Sequence, residues 1–189
     1  MLNLKDFTEK YIAQVISLLN SVKEKEVASF FEEIKNTTTS GGRIYFIGNG
    51  GSASTCSHFA NDLSRCEFEG APVRAISLCE NNSLITAIAN DFGYENIFKL
   101  QLKRELSQKD LVVAVSVSGN SENLIKAIEY TNNRNINSFA LLGSNGGKLQ
   151  ELVTSSIHIN SGAEEFGPVE DIHLVLNHLI SNYIRRNFT

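Results

Sequence analysis

Two short segments rich in glycine and serine are the residues of this chain best suited to binding an anion. They are Gly48–Ser54 (GNGGSAS) and Ser116–Ser121 (SVSGNS), and each lies between an apolar, strand-like run and a helix-like segment. The free N–H groups at a helix N-terminus favour a negative charge. Glycine lets the backbone approach a ligand closely, and serine hydroxyls donate hydrogen bonds. Together the two segments predict a phosphate site that needs no cluster of lysines.

Neither segment matches a nucleotide-binding motif. The Gly-Lys-Ser/Thr ending of a P-loop is missing from both, and so is the G-x-G-x-x-G spacing that binds dinucleotides. We therefore expect no nucleotide cofactor. The alternative interpretation of the two segments is a pair of ordinary strand-to-helix turns with serine caps.

Candidate acids and bases for catalysis are few, because the chain has only four histidines. His58 and Asp62 are four residues apart on the helix predicted after the first segment, so they share one face of it. That helix begins at the predicted phosphate site, which brings both side chains near the ligand. The alternative is a hydrogen-bonded pair without a catalytic role.

The last predicted helix carries a second group of titratable residues. His173 and His178 are five residues apart and point to different sides, so the pattern leaves open which one faces the site. Glu170 and Asp171 could act in the site or simply complement the helix dipole in a first turn. His158 falls in an edge-like strand, where we expect a structural role.

These residues have to be positioned by a repeating alternation of strands and helices. After two amphipathic helices in residues 3–37, short apolar runs alternate with helix-like segments. This order predicts an α/β fold with a doubly wound, five-stranded parallel sheet, in which ligands bind at the carboxyl ends of the strands. The predicted strands are Arg43–Ile47, Val73–Leu78, Leu111–Val115, Ser138–Leu142 and Ser156–Ile159. The predicted helices lie near 53–66, 83–90, 95–106, 122–133, 147–153 and 169–186.

Composition limits the classes of protein to which the chain can belong. With 189 residues and no linker, we expect one domain, comprising the helices of residues 1–37 and a core of residues 43–186. A net charge of −4 and the lack of a basic run argue against nucleic-acid binding, and no stretch is long enough for a membrane span. The three cysteines have no metal-ligand spacing, and the start of the chain has no secretory signal. We therefore expect a cytoplasmic protein with buried, reduced cysteines.

The chain resembles the sugar isomerase (SIS) domain proteins and, among them, the phosphoheptose isomerases. The matching motifs are spread over most of the chain. They are GNGGSAS with SHFANDL (48–63), TAIANDFGYENIF (86–98), SVSGNSEN (116–123), LLGSNGGK (141–148) and EDIHLVLNHL (170–179).

The resemblance implies a function and an assembly. Members of that family are cytoplasmic homotetramers that convert sedoheptulose 7-phosphate to D-glycero-D-manno-heptose 7-phosphate. This is the first step toward activated heptose for surface polysaccharide such as lipopolysaccharide or capsule. Two other functions remain open: an SIS isomerase of another phosphosugar, and a non-catalytic tetramer of the type that associates with the bacterial replication initiator.

The resemblance also implies roles for individual residues. The implied phosphate- and sugar-binding set is Asn49, Gly50, Gly51, Ser52, Asp91, Ser116, Val117, Ser118 and Ser121. The implied zinc ligands, with one ion per subunit, are His58, Asp62, Glu170 and His178. Among these four, the carboxylate of Asp62 and the imidazole of His178 would transfer the protons.

Two of these positions depart from the family's pattern. The family usually has Glu where this chain has Asp62, and Gln where it has Glu170. The Asp62 carboxylate is one methylene shorter, and we hypothesise that Glu170 compensates as a metal ligand or as the base itself. The segment 162–168 also departs from the family, which leaves the contacts to the sugar open.

Overall fold

A computed structural model describes residues 3–162 and 165–188. Ala163 and Glu164, in the segment 162–168, lie outside the described residues, as do the two first residues and the last one of the predicted domain. Five parallel strands form the main sheet in the order β4-β1-β5-β6-β7, which confirms the predicted α/β fold. The strands are β1 Ile44–Gly48, β2 Glu67–Phe68, β3 Ala71–Pro72, β4 Ala75–Ser77, β5 Leu111–Ser116, β6 Asn137–Leu142 and β7 Ser155–His158.

Helices cover both faces of the sheet. They are α1 Leu4–Asn20, α2 Glu24–Thr39, α3 Gly51–Leu63, α4 Asn82–Phe92, α5 Ile97–Glu105, α6 Glu122–Asn132, α7 Gly147–Leu152 and α8 Phe166–Asn187, with a 3₁₀ helix at Tyr94–Asn96. Of these, α2, α3 and α8 pack on one face and α4 to α7 on the other. Within the described residues, no helix combines the length and apolarity that crossing a bilayer requires.

The central strands form because their residues are apolar on both sides. Every residue of β1 and of β5 is buried, as is typical of a parallel sheet covered by helices on both faces. Phe46 of β1 stacks on Phe59 of α3, and Phe30 of α2 stacks on Phe139 of β6. This packing fixes α3 against the sheet, and with it the direction in which the helix leaves the first Gly/Ser loop.

Three features of the chain differ from the predictions. Helix α8 begins at Phe166 rather than near Val169, because Pro168 occupies its first turn, where the missing N–H costs nothing. Glu170 is therefore inside the helix rather than in its first turn. A two-stranded antiparallel hairpin, β2 and β3, was not predicted, because strands of two residues carry no periodic signal.

The prediction that His158 lies in an edge strand is confirmed, and the prediction of buried cysteines holds for two of the three. Cys56 and Cys66 are buried and Cys79 is half-buried, and all three are free thiols. His158 lies in the edge strand β7, and its Nε2 is 3.0 Å from the carbonyl oxygen of Ser144. This contact holds the strand end in place.

The first helix is unusual because none of its residues is buried. It packs against α8, and the Tyr11 hydroxyl donates a hydrogen bond of 2.7 Å to the Asp171 carboxylate. This hydrogen bond raises the pKa of Tyr11. The helix leaves large apolar side chains in solvent: Leu4, Phe7, Ile12, Ile16 and Leu19.

Candidate active site

The two Gly/Ser loops border one cavity at the carboxyl edge of the sheet. The cavity has a volume of about 120 Å³ and lies where β1 and β5 end, side by side. Ser52 and Ser116 are almost fully buried at its base, whereas Ser118 and Ser121 are half-buried. The lining residues are Asn49, Ser52, Val115, Ser116, Val117, Ser118, Ser121, Leu124, Phe166 and Glu170. We call this cavity the cradle.

A reciprocal pair of amides joins the two loops. Asn49 Nδ2 donates to Asn123 Oδ1 at 2.9 Å, and Asn123 Nδ2 donates back to Asn49 Oδ1 at 2.8 Å. The Tyr94 hydroxyl donates a third hydrogen bond of 2.9 Å to Asn49 Oδ1. These contacts keep the two loops at a fixed separation, so the cradle exists before a ligand arrives.

Positive backbone angles shape the loops at two glycines. Gly50, which precedes α3, has φ +55°, and Gly119 of the second loop has φ +65°. A Cβ on Gly119 would collide with the carbonyl group of Gly146, in the turn between β6 and α7, so only glycine fits at this contact. In the same loop, the Gly119 N–H donates to Ser116 Oγ at 3.0 Å, which orients that hydroxyl group.

Helices α3 and α8 run side by side in the same direction, away from the cradle. At their start, Gly51 of α3 lies against the Glu170 carboxylate, which occupies the space of a Cβ on that glycine. Further along, Asp62 of α3 meets Asn177 of α8, whose Nδ2 donates to its Oδ2 at 3.1 Å. The two helices therefore lead from the cradle to a second group of polar side chains.

This second group consists of His58, Asp62 and His178, and we call it the His/Asp cluster. Its three possible ligand atoms lie within 4.8 Å of one another. His58 Nε2 is 3.4 Å from Asp62 Oδ2 and 3.4 Å from His178 Nε2, and His178 Nε2 is 3.9 Å from Asp62 Oδ2. Two unprotonated imidazole nitrogens repel each other at that distance. A tautomer of one neutral ring with its hydrogen on Nε2, donating to the other ring, or a cation shared by both, would relieve this repulsion.

The cluster fits a divalent zinc ion. Bonds of about 2.0–2.1 Å place the ligand atoms of tetrahedral zinc about 3.4 Å apart, which is the separation of two of the three pairs. The two imidazole side chains are 42% and 49% exposed, whereas that of Asp62 is 11% exposed. Three protein ligands with an open, solvent-facing side are typical of catalytic rather than structural zinc.

Glu170 does not join this cluster. It is eight residues before His178 on a regular helix, about 12 Å along the axis. Its carboxylate borders the cradle instead. Burial, and to a lesser degree the charge of Asp171, raise the pKa of Glu170. Of the four zinc ligands that the resemblance implies, the structure thus brings His58, Asp62 and His178 together and places Glu170 apart, because α8 is already helical four residues before Glu170.

The two other predicted positions on α8 and α4 also lie apart from the cluster. His173 is completely buried, and burial lowers its pKa to about 4, so the ring is neutral. Of the two histidines that were alternatives on this helix, His178 is the one beside His58. Asp91 is exposed at the end of α4, where Asn90 Nδ2 donates to it at 2.9 Å, and it does not line the cradle.

Comparison with known proteins identifies the family. Residues 10–143 match the SIS domain family. The chain is 33% identical over 171 residues to a phosphoheptose isomerase of Helicobacter pylori, covering 90% of this chain and 86% of that protein. It is 31% identical to a phosphoheptose isomerase of Aneurinibacillus thermoaerophilus, covering 94% and 91% of the two chains. The chain belongs to the phosphoheptose isomerase family of SIS-domain enzymes.

Solved structures of this isomerase family agree with the fold. The structure of phosphoheptose isomerase GmhA from Neisseria gonorrhoeae matches with a TM-score of 0.87 and 26% identity, over 97% of this chain and all of that one. A phosphoheptose isomerase from Francisella tularensis matches with a TM-score of 0.85 and 26% identity, over 97% of each chain. The two leading helices therefore belong to the fold of these isomerases.

Sequence reasoning missed four residues that shape this isomerase's candidate site. Asn123 and Tyr94 hold the first loop, Phe166 lines the cradle, and Asn177 binds Asp62. Two of them had a signal: Asn123 and Tyr94 lie inside motifs that resemble the family, SVSGNSEN and TAIANDFGYENIF. Asn177 had none, because its partner lies on another helix.

Proposed function

We propose that the protein converts sedoheptulose 7-phosphate to D-glycero-D-manno-heptose 7-phosphate, for the synthesis of heptose in bacterial surface polysaccharide. One observation carries the proposal. Helix α3 begins in an anion cradle and brings His58 and Asp62 to His178, in a chain similar to named phosphoheptose isomerases. Helix α3 thus links part of the phosphate site to two of the three side chains of the cluster, and α8 supplies the third.

The cradle would hold the phosphate at carbon 7. Ser52, Ser116, Ser118 and Ser121 offer hydroxyl donors, and the start of α3 adds free backbone N–H groups and the positive end of its dipole. Six residues of helix separate Ser52 from His58, about 9 Å along the axis. A sugar phosphate bound at the cradle therefore extends along α3 toward the cluster with its carbonyl end.

The reaction moves a proton between carbons 1 and 2 through an enediol, and a second proton between the oxygens on those carbons. Asp62 and His178 are the proposed transfer pair, with the carboxylate taking the carbon proton and the imidazole serving the oxygens. Glu170 is the alternative base, and because it lies at the cradle end it could act only on a substrate whose carbons 1 and 2 lie at the cradle. Its raised pKa, a result of burial, suits a group that must give back the proton it takes.

One zinc ion per subunit is the proposed cofactor, held by His58, Asp62 and His178. When bound, it supplies a Lewis acid that polarises the substrate carbonyl. Glu170 contributes charge at the cradle rather than a fourth ligand. Substrate and water have the open side of the cluster available to them.

We also propose a homotetramer. The support is the apolar face of α1, where Leu4, Phe7 and Ile12 are each more than half exposed in the single chain. Exposed apolar side chains at helical spacing are typical of a surface that another subunit covers. Light scattering on the purified protein measures the mass directly, and a monomer of 20.9 kDa would contradict the proposal.

The deciding experiment is an assay of the purified, zinc-loaded protein with sedoheptulose 7-phosphate, followed by NMR of the product. We expect the aldose phosphate to form, and the matched His178→Ala variant to be nearly inactive. Pentose and hexose ketose phosphates are parallel substrates: turnover of one of these alone would replace the proposed substrate. Full activity of protein stripped by a chelator and verified free of metal would refute the zinc proposal.

A further inference from the structure

We propose that Asn177 is a positioning residue that fixes the Asp62 carboxylate for catalysis and for metal binding. The inference rests on the proposed function of the His/Asp cluster. Asn177 is completely buried in α8, and its Nδ2 donates a 3.1 Å hydrogen bond to Asp62 Oδ2 on α3. The bond joins the two helices at the level of the cluster.

Asn177 donates its hydrogen bond to the same Asp62 oxygen that lies beside the two histidines. Asp62 Oδ2 is also the atom that lies 3.4 Å from His58 Nε2 and 3.9 Å from His178 Nε2. A carboxylate oxygen has two lone-pair directions, and Asn177 takes one of them. The other then remains directed at the histidines. Without the amide, the carboxylate can turn about its last side-chain torsion, which has broad minima.

The second oxygen of Asp62 cannot provide this restraint as well. Its Oδ1 accepts a bond of 3.3 Å from Asn61 Nδ2, but Asn61 is exposed at the surface of α3 and adjacent in the chain. A long bond to an exposed side chain restrains little. The buried partner on α8 is therefore the one that sets the orientation of the carboxylate.

The orientation of the Asn177 amide follows from its partner. A carboxylate only accepts hydrogen bonds, so the NH₂ group must face Asp62 and the carbonyl must face away. That carbonyl oxygen, Oδ1, is buried without a partner among the described residues. Leaving a buried acceptor unpaired costs about 1–3 kcal/mol. An apolar side chain of similar size would avoid this cost, so the amide is poorly explained by folding stability alone.

His173 does not share this role, although it lies one turn earlier on α8. It is also completely buried, and the polar group nearest its ring is the Leu142 backbone rather than the Asp62 carboxylate. It therefore makes no contact that could orient Asp62. Of these two buried side chains of α8, Asn177 is the one that contacts the Asp62 carboxylate.

The test is the variant Asn177→Leu, which keeps the volume but removes the donor. We expect kcat to fall about 10- to 100-fold and the affinity for Zn²⁺ to fall by a similar factor, the usual range for residues that orient ligands. KM should change less than about threefold, because the cradle is untouched. The melting temperature should change little, since the unpaired Oδ1 is removed together with the hydrogen bond to Asp62, and the two effects oppose each other.

Two further variants make the result interpretable. Ser181→Ala changes another completely buried polar side chain, four residues later on the same helix. Its hydroxyl donates to the backbone carbonyl of His178 and not to the cluster's side chains, so the variant should leave kcat and Zn²⁺ affinity unchanged. Asn177→Ala is the second test if the leucine is too bulky to fold. Zn²⁺ affinity is measured by competition with a chromophoric chelator in the absence of substrate.

The outcomes separate this inference from the proposed function. Loss of Zn²⁺ affinity or of kcat at unchanged melting temperature supports it. Unchanged values of both overturn it, as does a loss that comes with unfolding and appears equally in Ser181→Ala. If the wild type fails to isomerise any ketose phosphate, the proposed function fails, while the Zn²⁺ titration still decides the role of Asn177.

Discussion

The cradle and the His/Asp cluster are built in different ways. The cradle is made mostly of backbone and short hydroxyl side chains on two loops, which glycine geometry and the Asn49–Asn123 pair hold in place. The cluster is made of long side chains from two helices, and its geometry depends on how α3 packs against α8. Because different parts of the structure bind the phosphate and carry out the proton transfer, substitutions in the cradle should change mainly KM, and substitutions in the cluster mainly kcat.

The largest expected effect is in the cluster. His178→Ala removes both a proposed proton carrier and a metal ligand, so we expect kcat to fall about 10²- to 10⁴-fold. KM should change little, because the phosphate grip is on the other end of the helix pair. Steady-state kinetics on sedoheptulose 7-phosphate measures both constants. A comparable rise in KM would contradict the separation of the two regions.

The next effect concerns the stability of the fold and the buried His173, in contrast to the half-exposed His178 of the cluster. Because burial lowers the pKa of His173 to about 4, the neutral ring stabilises the fold above its ordinary pKa of 6.5. This contribution is lost progressively as the pH falls from 6.5 to about 4, and integrates to about 3 kcal/mol. In His173→Leu, urea unfolding at pH 7 and pH 4.5 should show a smaller loss of stability than in the wild type. An equal loss in both proteins would be evidence against a buried neutral ring.

A substitution of Glu170 shows whether this residue acts with the cradle in binding or with the His/Asp cluster in proton transfer. It borders the cradle, yet we propose it as the alternative base. If it acts in chemistry, Glu170→Gln lowers kcat by about 10- to 100-fold, within the lower range for a general base. The neighbouring Asp171→Asn, which removes a negative charge outside the cradle lining but keeps an oxygen that can accept from Tyr11, is the control. A change confined to KM would assign Glu170 to the grip and leave Asp62 as the base.

The smallest effect is expected in the cradle. Ser118→Ala removes one hydroxyl donor of several, and a hydrogen bond to a charged group contributes about 1.5–3 kcal/mol at most. Because Ser118 is half-buried and water can replace it, we expect KM to rise about threefold to tenfold with kcat nearly unchanged. Ser54→Ala, an exposed serine of the first loop outside the cradle lining, is the matched control.

Much of the fold was predictable because its signals are local. The fully apolar strands β1 and β5 and the glycine-rich loops after them carry their structure in adjacent residues. The start of α8 was wrong by three residues, because Gly167 and Pro168 are typical of turns as well as of first helical turns. The hairpin β2–β3 was missed because each strand has only two residues.

The candidate site was predictable only in part, since half of it depends on packing between distant segments. His58 and Asp62 share one helix, so their proximity follows from spacing. The approach of His178 and Asn177 depends on the alignment of α3 with α8, to which no short-range pattern points. The distance of Glu170 from the cluster has a local cause: α8 begins before Glu170, so eight residues of regular helix separate it from His178.

The cradle has a consequence for how binding responds to salt. Among its ten lining residues there is no lysine or arginine, and Glu170 adds a negative charge, in a chain of net charge −4. A sugar phosphate must therefore approach against a repulsive field, which ions screen over about 10 Å at 0.1 M. Added sodium chloride should speed the association of the substrate rather than slow it. A lysine-lined phosphate site would show the opposite dependence, so ionic strength alone distinguishes the two ways of gripping an anion.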